Sequence, residues 1–213
     1  NKSYKAKAII IATGCLERKL GIPGEDEYYG RGISYCAVCD GGFYRDKVIT
    51  VIGGGNTALE ESDYLTRFGS VVHLVLRRDK ARADKIYRDK VQANPKIKVH
   101  LSYSPTEILG DGNKVTQIVF KSNDPNRPEP MTLNTAGVFP LIGTIPNTEF
   151  LKDLPILNKA GYILTDEKMA TSIPGIFAAG DVREKTLRQV ITAGNDGSIA
   201  GQEVYHWLES LKA

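Results

Sequence analysis

Cys36 and Cys39 stand three residues apart in the stretch SYCAVCDGGF, with Asp40 directly behind them and two glycines after that. A C-x-x-C pair can clip a metal, close a structural disulfide or shuttle electrons as a dithiol. A structural zinc site needs four ligands, usually two such pairs. The remaining candidates are Cys15, His73, His100 and His206, and none has ligand spacing. Three cysteines in 213 residues do not make a disulfide scaffold, and they suit a reducing, cytoplasmic compartment. Redox chemistry is the strongest of the three readings. The spacing lowers one thiol's proton affinity and lets the bond open and close with little backbone motion. Asp40 is then a candidate proton donor and acceptor for the leaving thiolate.

A second constellation lies ten residues on. VIGGGNTALE holds Gly53-x-Gly55-x-x-Ala58, the GxGxxA form of a dinucleotide signature. Such glycines permit a tight turn and close approach of a pyrophosphate, and the helix behind them offers free N–H groups. Gly53, Gly54, Gly55, Asn56 and Thr57 are the candidate contacts. The signature follows a β-branched run, KVITVI, and opens the helix-like NTALEESDYLTRFG, with Asn56 or Thr57 as its cap and Gly69 at its end. SVVHLVL then reads as a second strand, so residues 48–76 form a βαβ unit. An NAD site wants an acid at the end of that strand. Here Arg77, Arg78 and Arg82 stand there instead, and guanidinium groups favour the 2′-phosphate of NADPH.

These sites need elements to hold them. Residues 6–12 read as a buried strand, and residues 79–93 as a charged surface helix. KVHLSY, KVTQIVFK and MTLNT look like a small antiparallel meander, and GVFPLIG and GIFAAGD like apolar strands. The last element is a helix over about 187–211. Leu187, Val190, Gly194, Gly197, Gly201, Val204, Leu208 and Leu211 fall on one of its faces. Three glycines there cost about 1 kcal/mol each relative to alanine, so something is expected to approach that face closely.

Bulk properties exclude several classes. A net charge of +3 argues for neither nucleic acid nor a membrane surface. The apolar run AIIIA is too short to span a bilayer and lacks the layout of a signal peptide. The chain opens on Asn1 and enters an apolar strand almost at once, with no earlier partner to pair it, which points to a missing N-terminal portion.

CAVCDG, VIGGGNTALEE, RRDKARA and the late GIFAAGDV occur in an order and spacing that resembles low-molecular-weight thioredoxin reductases, over the whole chain. That resemblance implies an α/β architecture. A Rossmann-like three-layer NADPH domain with a small antiparallel meander, residues 20–143, is inserted in a partial FAD-binding Rossmann-like domain, residues 1–19 and 144–213. It implies FAD and NADPH as cofactors, thioredoxin as partner and a homodimer. Cys39 is then the thiol facing the flavin, Cys36 the one attacking thioredoxin, and Asp40 the acid–base residue. Gly14 would close the FAD site and Asp181, with Val182, would bind its ribitol chain. Arg188, Gln189 and Val190 would contact the flavin. There are departures. The family often carries His where Leu76 stands, Cys15 has no assigned role, and the N-terminal third with its own GxGxxG is absent. Two alternatives follow: an NADPH-binding module or fragment without catalysis, and a peroxiredoxin-reducing or dithiol-oxidase flavoprotein.

Overall fold

The computed structural model describes residues 2–212. Its elements divide into two units, residues 18–143 and residues 1–17 with 144–213. Along the chain they run β1 (Ile9–Ile11), β2 (Cys15–Glu17), α1 (Ala37–Asp40), β3 (Val48–Ile52), α2 (Asn56–Leu65), β4 (Val71–Leu76), α3 (Lys85–Ala93) and β5 (Ile97–Leu101). They continue with β6 (Tyr103–Gly110), β7 (Val115–Ser122), β8 (Met131–Asn134), β9 (Gly137–Pro140), β10 (Thr144–Pro146), β11 (Ile176–Ala178) and α4 (Val190–Ser210).

The larger unit is a four-stranded parallel sheet in the order β5-β4-β3-β9, with a three-stranded antiparallel sheet β6-β7-β8. The mixed α/β class and the parallel β3-α2-β4 unit agree with the sequence. Strand β3 reads VITVI and is buried from Ile49 onward, because both of its faces are covered. One face carries Ile49, Val51, Val72 and Leu74 against Leu59 and Leu65 of α2 and Val91 of α3. The other packs Ile52, Val75 and Val138 against Ile108, Ile118 and Phe120 of the antiparallel sheet.

Three expectations about this unit are corrected. KVHLSY is not the first strand of the meander. Ser102 has φ 64 and breaks the run, so residues 97–101 join the parallel sheet beside β4 and the meander starts at Tyr103. The helix expected from residue 79 begins only at Lys85. The N–H groups of Arg82 and Ala83 donate to the Gly54 carbonyl at 2.8 and 3.2 Å, which ties this backbone to the glycine turn. Gly55, with extended backbone, is the cap of α2, so Asn56 and Thr57 already lie inside the helix.

In the smaller unit β1 pairs in parallel with β11, and β2 pairs antiparallel with β10. The early strand therefore has a partner, contributed by the far end of the chain, and is shorter than the sequence suggests. Ile11, Ile156, Ile163, Ala178 and Val182 form its core. The final helix starts at Val190, not 187. Its buried positions are Asp196 and Ala200, not the glycine face. Among the described residues nothing lies within 4 Å of where a Cβ would stand at Gly194, Gly197 or Gly201.

Candidate active site

The redox turn is built from the first turn of α1. Cys36 is its cap, and the N–H of Cys39 donates to Cys36 Sγ at 3.1 Å. The N–H of Cys36 itself donates to Ser34 Oγ at 3.1 Å. The two cysteines are joined as a disulfide, with their Cα atoms 5.3 Å apart. Cys36 is half-buried and Cys39 is exposed, with Asp40 half-buried beyond it. Gly41 presses the turn onto α2: a Cβ there would stand 2.9 Å from Leu65 Cδ2. Upstream, Glu25 fixes the approach. Its buried carboxylate accepts the N–H groups of Leu20 and Gly21 and the hydroxyl of Tyr35, each at 2.8 Å.

The glycine turn lies between β3 and α2 of the same unit. Gly53 has φ +153, and a Cβ on it would meet the Leu141 carbonyl oxygen at 2.4 Å and Ala58 Cβ at 2.7 Å, so no other residue fits. Behind it the helix start leaves the N–H groups of Asn56, Thr57 and Ala58 without intrahelical acceptors. The Asn56 side chain is committed elsewhere: it donates to Asp84 Oδ2 at 2.7 Å and accepts the Asp84 N–H at 2.8 Å. Arg77 and Arg78 follow β4 directly, with side chains exposed. Their carbonyls are held, Arg77 by Asn123 Nδ2 at 2.9 Å and Arg78 by the N–H of Ser102 at 3.1 Å. Arg82 is also exposed, and its N–H bond to Gly54 carries it to the glycine turn. The tertiary structure thus ties Arg82 to the glycine turn and sets Leu76, at the strand end before Arg77 and Arg78, beside Gly54.

The remaining candidates lie in the smaller unit. Gly14 has φ +70, and the backbone of this loop is tied down by Thr13 and Asn147. Thr13 Oγ1 donates to the Asn147 carbonyl at 2.8 Å, and the N–H of Asn147 donates to the Gly14 carbonyl at 3.0 Å. Asp181 sits in a 3-10 turn with Val182, and its Oδ1 is a buried oxygen without a hydrogen-bond partner among the described residues. Val182 is fully buried in the apolar core, so any ligand contact there falls to its backbone. Arg188 lies over the Tyr162 ring, 4.2 Å from its centroid, with Nε 3.4 Å from the Asp181 carbonyl. Gln189 and Thr192 form a capping box at the start of α4, followed by Val190, which is 91% exposed. Cys15 is half-buried; burial first and the nearby Asp181 second push its thiol up.

Sequence reasoning missed Asp196. Its Oδ2 accepts Arg183 Nη1 at 2.8 Å, Lys185 Nζ at 2.7 Å and the Gly180 N–H at 3.0 Å. Burial alone would raise this carboxyl's pKa, but the bonds from Lys185 and Arg183 outweigh it and hold it below the usual aspartate value. Asp196 thereby fixes the Gly180–Val182 turn to α4. An acid inside the small-residue run GNDGS was its sole trace in the sequence. Sequence reasoning also passed over Glu61, whose Oε2 accepts the Ala37 N–H at 3.2 Å.

A bridged C-x-x-C turn shares one folded unit with a glycine turn that opens a helix behind a parallel strand. Residues 1–197 match the pyridine nucleotide-disulphide oxidoreductase family, and the chain belongs to that family. Its similar relatives are thioredoxin reductases. That of Listeria innocua is 48% identical over 212 residues, covering 100% of this chain and 66% of the relative. That of Bacillus subtilis is 47% identical with the same coverage. The thioredoxin reductase structure from Streptococcus pyogenes superposes with TM-score 0.91 at 49% identity, over 99% of this chain and 68% of that one. The chain thus spans about 66% of the length of the relatives it matches.

Proposed function

We propose that the chain carries the nucleotide-binding and redox-dithiol portion of an NADPH-dependent, FAD-containing thioredoxin reductase. The observation that carries this reading is the Cys36–Cys39 disulfide seated on α2, the helix that opens at the glycine turn. Residues 20–143 are read as the NADPH domain, and residues 1–19 with 144–213 as segments of the FAD domain; the division into units at residues 18 and 143 supports this.

The α2 N-terminus and its free N–H groups would bind the pyrophosphate, and Arg77, Arg78 and Arg82 the 2′-phosphate. The residues of the smaller unit fit a flavin. Asp181 offers a buried carboxylate oxygen, unpartnered among the described residues and suited to a ribitol hydroxyl, and Arg188 stands beside its backbone carbonyl. FAD, when bound, converts hydride transfer into two-electron reduction of a disulfide. Opening the Cys36–Cys39 bond with two electrons and one proton leaves a thiol and a thiolate. Cys36 attacks the partner's disulfide to form a mixed disulfide, expelling the partner's other sulfur as thiolate. Cys39 then attacks Cys36 Sγ, which re-forms the bridge and releases the dithiol partner. Asp40 holds or returns the proton at the leaving sulfur. A cytoplasmic homodimer completes the reading; the scarcity of cysteine supports the compartment and the relatives support the family.

The test is the visible spectrum of the purified chain with FAD, before and after anaerobic NADPH, with free thiols counted at each stage. Bleaching of an oxidised-flavin spectrum with the gain of two thiols is expected. Binding of NADPH without flavin uptake or new thiols would instead support a nucleotide-binding module without catalysis.

A further inference from the structure

We propose that Glu61 is the residue through which the nucleotide helix positions the redox turn and sets the proton affinity of its thiols. This inference rests on the redox-dithiol reading above. Ala37, between the cysteines, is the first residue of α1 and is fully buried. Its N–H has no acceptor within its own helix. Glu61, in the second turn of α2, supplies one at 3.2 Å. The same helix contributes Leu65, against which Gly41 is pressed. One end of the redox turn is therefore held by a charge and the other by packing, both from α2.

Glu61 is half-buried, and burial raises its carboxyl's pKa; the bond from Ala37 opposes that shift, and Glu60 adds to it. Charged groups near the turn include Glu60 and Glu61 from α2, Asp40 at the end of α1, Arg45, whose guanidinium lies 6.0 Å over the Phe68 ring, and Lys47, whose Nζ donates to the Phe43 carbonyl at 3.3 Å. A hydride equivalent opens the Sγ–Sγ bond and leaves one thiol and one thiolate. The new negative charge forms next to the residue whose N–H Glu61 already holds. Like charges raise each other's proton affinity, so the thiolate and Glu61 titrate as a pair. Glu61 keeps the thiols less acidic than a bare helix start would make them, and it takes up proton density as thiolate forms.

The experiment uses the whole chain in a Cys15→Ser background, so that only two thiols titrate. The disulfide is reduced chemically, and thiolate absorbance near 240 nm is followed against pH, together with the iodoacetamide rate. Glu61→Gln keeps an oxygen for the Ala37 N–H and removes the charge. Its lower thiol pKa should fall by about half to one unit, which raises alkylation at pH 6.5 roughly 3- to 10-fold. Glu61→Asp keeps a carboxylate and should stay nearer the parent value. Glu60→Gln, on the exposed side of α2, should move it less than Glu61→Gln does. A Glu61→Gln pKa within about 0.2 of the parent, or one matched by Glu60→Gln, overturns the proposal, since pairing predicts a larger and local shift. The variant comparison needs no flavin. Failure of NADPH to reduce the parent's disulfide in the presence of FAD would sink the reductase reading and leave this comparison to decide Glu61.

Discussion

Removing the Asp196 carboxylate should destabilise the smaller unit more than any surface ion pair can. Two cations and one backbone N–H converge on Oδ2 within 3.0 Å, and the Arg183 and Lys185 side chains are only 11% and 13% exposed. Asp196→Ala leaves both cations buried without their counter-charge and the Gly180 N–H without an acceptor. Breaking a buried pair from one side costs about 3–5 kcal/mol. Asp196→Asn keeps an acceptor for Gly180 and should cost about 1 kcal/mol less. The assay is at hand, because the chain has one tryptophan. Trp207 lies in α4 and abuts Gly175, where a Cβ would meet its Cη2 at 2.8 Å, so its fluorescence reports this unit. With a urea dependence of about 1–3 kcal/mol per M, a loss of 3 kcal/mol moves the fluorescence midpoint down by roughly 1–3 M. The carboxyl's pKa is depressed in the folded state, so its contribution is full above the unfolded value of 3.8 and is lost as pH falls through the folded value. Parent and variant should accordingly converge in stability as pH falls below 3.8 and through the lower folded value. A loss under about 0.5 kcal/mol, the range of exposed pairs, would refute the reasoning.

The other outcomes concern the larger unit. Arg77→Ala with Arg78→Ala should weaken NADPH binding about 10- to 100-fold and leave NADH unchanged, as calorimetry can read; equal losses for both nucleotides would remove the 2′-phosphate assignment. Gly53→Ala forces a Cβ against the Leu141 carbonyl and Ala58, and should cost at least about 2 kcal/mol in unfolding followed by circular dichroism, together with nucleotide binding. His73 donates to or accepts from His100 at 2.8 Å, and burial, His100 and Lys98 lower its pKa from 6.5 to about 4. The unfolded chain binds a proton there below pH 6.5 and the folded one does not until about 4, so stability falls across that window. For a half-exposed ring the loss is about 1–2 kcal/mol between pH 7 and 5, and His73→Phe should flatten it. The same slope in the variant would mean that another group titrates.

Much of the larger unit was legible because its signals are local. A β-branched run ending in glycines and followed by a capped amphipathic stretch specifies strand, turn and helix through backbone sterics alone. The C-x-x-C spacing likewise fixes a bridge within one helical turn. Positions whose neighbours are remote were read less well. The KVHLSY run looks like a meander strand, yet its pairing partner is β4, 25 residues before it in register. The loop at 79–84 has a helical composition, but the N–H groups of Arg82 and Ala83 are taken by the Gly54 carbonyl and that of Asp84 by Asn56 Oδ1. The glycine stripe of α4 suggests a packed face, whereas the buried face is that of Asp196 and Ala200.

By itself the sequence determined the chemistry that depends on near neighbours: a dithiol three residues apart, a glycine turn that only glycine can make, and arginines in place of an acid at a strand end. Tertiary structure alone decided what holds these groups. Asp84 occupies Asn56, Asn123 and Ser102 fix the arginine backbone, Glu61 takes the amide between the cysteines, and Asp196 joins a turn to a helix. Each of these is a hydrogen bond or ion pair to a group distant along the chain or across a turn. No period or local propensity encodes such a bond; it exists only once packing has brought donor and acceptor within 3 Å or so and excluded the water that would otherwise serve them.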